Sequence, residues 1–178
     1  MTARVAACGA AVAVVAGLTA PVSANERDRK FFDQVQGEWT GPGEIVAGKY
    51  KGTKFTCNFK GATAGKDIGM SLDGGCRVGL FNQKMSASFK RGGKGYTGTF
   101  MDGAVGKGLD IVGGQVQGSK VTLALHRNDL HGAMLARMAS EDTMNVTVSV
   151  RVDRKLVPVI GMSLKRIDGA AVGAVARD

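Results

Sequence analysis

The chain has 178 residues, 44% apolar and 6% aromatic, with 24 Lys and Arg against 15 Asp and Glu, a formal net charge of +9. That hydrophobicity excludes wholesale disorder, and the length fits one domain. Twenty-seven glycines with only three prolines exclude collagen and disfavour a bundle of long helices.

Met1 to Arg4 carries one positive charge, and Val5 to Ala20 is an uncharged apolar run of 16 residues. Pro21-Val22-Ser23-Ala24 follows, with small side chains where a signal peptidase needs them. Residues 1–24 therefore read as a secretory signal, and the expected location is periplasmic or secreted. The run is shorter than the roughly 20 residues of a spanning helix. Cys8 precedes most of the apolar run, the wrong side for lipid attachment. The expected mature chain starts at Asn25, with one domain over 25–168 and a loose Ala/Gly/Val-rich tail over 169–178.

Asn25 to Lys30 is charged, and Phe31, Phe32 and Val35 follow at helical spacing, so a short helical turn is expected before Gly37. From Trp39 the pattern changes to period two. Phe55, Cys57 and Phe59 share one face of a strand, with Lys54, Thr56 and Asn58 on the other. Met70 and Leu72 alternate with small residues, and Asp73-Gly74-Gly75 reads as a tight turn. Met85, Ala87 and Phe89 precede the basic turn Arg91-Gly92-Gly93-Lys94, and Tyr96, Gly98 and Phe100 form the next run. Leu109 to Val116 is broken by Gly113-Gly114. Val121, Leu123 and Leu125 alternate cleanly, as do Met144, Val146, Val148, Val150 and Val152. One stretch departs from this: Leu130, Met134, Leu135 and Met138 have helical spacing, with Asn128 or Asp129 as N-cap, so a helix is expected over 129–138. Eight to ten short strands without strand–helix alternation mean an all-β antiparallel sandwich or barrel.

With Cys8 removed, Cys57 and Cys76 remain. An even pair in an exported chain reads as a disulfide, with two reduced buried thiols as the alternative. A metal site is disfavoured, because neither Cys lies in a Cys-x-x-Cys pair and the histidines are only His126 and His131.

Gly37-Glu38-Trp39 resembles the Gly-x-Trp motif of the lipocalin and calycin superfamily. The resemblance implies an up-and-down barrel with Trp39 closing one end beneath a cation from the last strand, here Arg166 or Lys165. The plan is also similar to that of small exported bacterial inhibitors of metalloproteases. That resemblance implies that a free leading segment, here Asn25 to Lys30, enters a protease cleft.

The sequence offers no catalytic residues, metal ligands or cofactor motif. His126 and His131 lack a Ser or Cys partner, although Asp110 or Asp129 could orient them. Gly61-Ala62-Thr63-Ala64-Gly65-Lys66-Asp67 has one residue too few and the wrong last residue for a P-loop, and Gly103 to Gly108 is only a basic turn. Lys49, Lys51, Lys54, Lys60, Lys66, Lys90, Arg91 and Lys94 crowd the first half and attract anions. Export and the lack of interleaved aromatics exclude nucleic acid as the expected partner. Anionic envelope polymers, lipid headgroups and an acidic protein face remain.

The leading expectation is an exported, non-enzymatic barrel that binds a small apolar or amphipathic ligand. Phe55, Phe59, Met70, Phe89, Phe100, Leu123 and Val148 are the candidate interior residues, either lining a cavity or filling it. The competing expectation is an inhibitor-like barrel that binds an envelope protein. An enzyme using His126 or His131 is the third.

Overall fold

Ser23 is a helix cap. Its hydroxyl accepts from the Glu26 amide at 3.2 Å, and the Glu26 carboxylate accepts from the Ser23 amide. The helix that follows, α1 (Ala24–Val35), is too short to persist alone in water. Its apolar face, Phe31, Phe32 and Val35, is held by packing and is at most 4% exposed. Asn25 to Lys30 is wound into α1, so the free leading segment expected above is instead structured. The chain ends α1 at Gln36 and turns through Gly37, whose φ of +116° suits glycine.

The computed structural model describes residues 23–93, 95–101 and 108–167. The signal stretch before Ser23, the Gly103–Lys107 part of the basic turn, and the 169–178 tail lie outside the described residues.

Ten strands follow: β1 (Gly37–Ile45), β2 (Lys54–Thr63), β3 (Gly69–Val78), β4 (Phe81–Gly92), β5 (Gly95–Met101), β6 (Leu109–Gln117), β7 (Lys120–Arg127), β8 (Leu130–Ser140), β9 (Thr143–Val152) and β10 (Lys155–Arg166). Each pairs antiparallel with its neighbours in sequence. The last meets the first, with Trp39 opposite Arg166 and Ile45 opposite Ile160, so the barrel is closed and no edge is left open. Pro158 lacks an amide donor and sits where the β9–β10 register shifts.

This is the all-β up-and-down barrel with a short N-terminal helix. Two local expectations are corrected. Residues 129–138 form strand β8, not a helix. Leu130, Gly132, Met134, Ala136 and Met138 face inward, opposite inward residues of β7 such as Leu123 and Leu125. Because Gly132 and Ala136 are small, only every fourth residue looked large and apolar. A spacing of four satisfies a strand as well as a helix. Asn128, at φ +50°, makes the β7–β8 turn instead of capping a helix.

Asp73-Gly74-Gly75 is not a turn but the middle of β3. A Cβ on Gly74 would lie 2.1 Å from the Asn58 carbonyl oxygen, so glycine permits a close crossing of β2 and β3. The turn itself comes at Gly79-Leu80.

Cys57 and Cys76 are register partners on β2 and β3, with Cα atoms 4.0 Å apart, and they form a disulfide. Closing a loop of 19 residues contributes about 3 kcal/mol in the chain-entropy model.

Candidate functional site: the two ends of the lumen

An up-and-down barrel sends alternate connections to opposite ends. The β2–β3, β4–β5, β6–β7 and β8–β9 connections share one end with α1. The β1–β2, β3–β4, β5–β6, β7–β8 and β9–β10 connections share the other. The two ends differ in chemistry.

At the α1 end, Trp39 is 1% exposed, and its indole N–H donates to the Val35 carbonyl at 2.9 Å. The Arg166 guanidinium lies 4.3 Å from the centre of the Trp39 ring. The same guanidinium donates to the Gln36 carbonyl at 2.6 Å and to the Gln34 carbonyl, so it also satisfies acceptors left over at the helix end. Strand parity decides between the two candidates: Arg166 pairs with Trp39 and points inward, while Lys165 points outward and donates to the Thr143 hydroxyl at 2.6 Å. A Cβ on Gly37 would lie 2.7 Å from an Arg166 nitrogen, which is why glycine precedes the Trp by two.

The sequence did not announce a second clasp. Asp28 of α1 is 4% exposed and accepts from Arg91 of β4 and from the Tyr96 hydroxyl of β5. Burial of the Tyr96 ring, followed by its bond to Asp28 and the charge there, pushes the phenol pKa above its ordinary value of 10.0. Phe31, Phe32, Phe89 and Tyr96 meet edge to face, with centroids 5.4 to 5.8 Å apart. Phe59, Met70, Phe89 and Leu123, four of the seven sequence-named interior residues, are sealed into this core. They fill space.

The other three, Phe55, Phe100 and Val148, belong to the opposite half. They point inward yet are only partly buried, as are Met85, Met134 and Met162. Register fixes their direction: Phe55 pairs with Gly43, Phe100 with Ala87, and Val148 with Met134. Ile111 and Leu125, register partners in the same half, are sealed. Much of the wall here is hydrocarbon and thioether, with Cys57 Sγ 3.7 Å from Met162 Sδ and Cys76 Sγ 3.5 Å from Met85 Sδ, and Arg127, the register partner of Leu130, also takes an inward position. Of the methionines, only Met70 is an interior candidate from the sequence; Met134 falls in the expected helix, and Met85 figures only in a strand run.

The histidines lie on the outer wall. His126 and His131 stack at 4.6 Å, and Asp110 is the register partner of His126. Asp129 sits in the β7–β8 turn. Two shallow hollows, of about 340 and 430 Å³, also lie on the outside, one beside Thr122, Ala133 and Leu156 and the other beside Asp73, Ser86 and Met101. Among the described residues no group of three His, Cys, Asp or Glu is arranged to hold a metal, and no helix is long and apolar enough to cross a membrane.

A scan of protein families and a search of curated proteins both return no match for this chain.

Proposed function

We propose that this chain is an exported, non-enzymatic binding protein, and that a small apolar or amphipathic ligand enters its lumen at the end opposite α1. One observation carries this reading. Phe55, Met85, Phe100, Met134, Val148 and Met162 face inward and are only partly buried, while Phe32, Trp39, Phe89 and Tyr96 near α1 are sealed. Apolar area is the attraction on offer, and thioethers adapt to ligands of different shape. A charged ligand head would stay at the mouth, near Lys49, Lys51 and Lys54.

Kinship with the calycin superfamily forms part of this proposal. Its support is the Gly37-x-Trp39 motif at the start of β1, together with Arg166 of the last strand over the indole. Export is proposed from the leading apolar run and is compatible with the disulfide. The inhibitor-like alternative needs Asn25 to Lys30 free, whereas α1 holds them and buries Asp28.

The test is titration with a fluorescent apolar probe, anilinonaphthalene sulfonate, followed by displacement with long-chain carboxylic acids. One saturable site is expected. Val148→Arg and Met134→Lys should each raise its Kd by about tenfold or more. Equal probe binding by both variants, at unchanged Tm, refutes the lumen as the site.

A further inference from the structure

We infer that the open end of the barrel docks on an anionic lipid surface. This goes beyond the lumen reading and does not need it. The apolar residues most exposed among those described are gathered at this end: Leu80 at 99%, Phe81 at 83% and Tyr50 at 63%. They occupy the tips of the β3–β4 and β1–β2 connections, and Val152, 51% exposed, precedes the β9–β10 turn. Hydrocarbon placed at hairpin tips contributes nothing to the core, so its position must be explained by something outside the chain.

The charge around these tips identifies that partner. Lys49, Lys51, Lys54, Arg77, Arg154 and Lys155 are exposed beside them, against Glu44, Asp110, Asp129 and Asp153 among the described residues of that end. The Lys49 ammonium lies 5.5 Å from the Tyr50 ring centre, so a cation and an apolar ring already share one tip. At the α1 end three of the bases are paired, Arg91 with Asp28, Lys90 with Asp67 at 3.1 Å, and Lys60 with Glu38 at 3.3 Å, although Lys66 and Lys120 there are exposed as well. A bilayer surface with anionic headgroups matches both features at their own depths, with phosphates level with the lysines and the acyl boundary level with Leu80 and Phe81. A second copy of this chain fits poorly, because a two-fold contact would press one basic ring against the other. The side wall of β2 is polar, with Lys54, Thr56, Asn58 and Lys60 facing out, so the wall below the β1–β2 tip offers no apolar contact.

The experiment is co-sedimentation of the whole processed protein with phosphatidylglycerol–phosphatidylcholine vesicles and with pure phosphatidylcholine vesicles. Binding to the anionic vesicles is expected, weakening as salt rises. Leu80→Glu/Phe81→Glu should lower the partition coefficient at least about tenfold, and Lys49→Glu/Lys51→Glu similarly. Lys120→Glu, at the α1 end, should leave it unchanged. Phe81→Trp should shift its emission to the blue on anionic vesicles only. All these positions are exposed, so an unchanged Tm shows that the fold persists. Three results overturn the proposal: no vesicle binding, equal affinity for neutral vesicles, or a solution dimer that Leu80→Glu/Phe81→Glu dissociates. Probe binding in the lumen is read separately on the same variants. Its loss with vesicle binding intact defeats the lumen reading alone, and the converse defeats docking alone.

Discussion

The two halves of this barrel are built from the same alternating strands and differ in what fills them. Near α1 the interior holds Trp39, Phe32, Phe89 and Tyr96, each at most 6% exposed, tied by Arg166 and Asp28 to the helix and its C-terminal carbonyls. Toward the other end Phe55, Phe100, Met134, Val148 and Met162 are only partly buried although Ile111 and Leu125 are sealed, and large apolar side chains continue out onto the rim. Alternation therefore creates an inside, but large plates and buried polar clasps decide which part of that inside is solid. Stability should concentrate in one half and binding in the other.

Substitutions can break this division. The largest effect is expected from Trp39→Ala, which opens a cavity and removes the surface beneath Arg166. A loss of about 3–5 kcal/mol in urea unfolding is expected. Replacing both Cys57 and Cys76 with Ala should cost about 3 kcal/mol, less any residual structure in the unfolded chain. Asp28→Ala leaves the Tyr96 hydroxyl buried without its acceptor and should cost about 1–3 kcal/mol, with little change in probe affinity. If Asp28→Ala weakens probe binding as much as Val148→Arg does, the two halves are not independent.

The alkaline limb of stability sharpens the comparison. The neutral phenol is the protonated form, and folding raises the Tyr96 pKa above 10.0. The folded chain thus holds that proton more tightly than the unfolded chain. The resulting stability is fully present below about pH 10 and is lost as pH rises toward the folded pKa. In a Tyr50→Phe background, where Tyr96 is the only tyrosine left, phenolate absorbance should therefore rise together with loss of the fold. Phenolate absorbance appearing near pH 10 in the folded protein contradicts the clasp. The smallest effect is at the rim, where Leu80→Glu should change stability by no more than about 0.5 kcal/mol.

Much of the fold was legible in residues where large and small side chains alternate plainly. Lys54 to Phe59 and Met144 to Val152 announce their strands because β-branched, aromatic and sulfur-bearing groups recur every second position. β8 hid because Gly132 and Ala136 occupy inward positions, and a sequence cannot show that glycine faces a lumen. Asp73-Gly74-Gly75 has a turn's composition, yet here the glycine serves a close strand crossing, a tertiary fact. The Trp39–Arg166 contact was legible through the motif, and strand parity then chose Arg166 over Lys165. The Asp28–Arg91–Tyr96 clasp was not legible, because Asp28 lies more than 60 positions from both Arg91 and Tyr96 and no local pattern links them. Of the seven interior residues named from sequence, all face inward, but alternation says nothing about height along the axis. Only the register separates Phe59 and Phe89 in the solid half from Phe55 and Val148 in the open one.

The seam between β1 and β10 fixes an order of events during biosynthesis. Residues 39 and 166 must meet before the cylinder exists, so a nascent chain lacking its final strand cannot shut. Such distant pairing makes for slow maturation, on the order of milliseconds to seconds. For the export proposed above, that delay would keep the chain unfolded for its passage across a membrane.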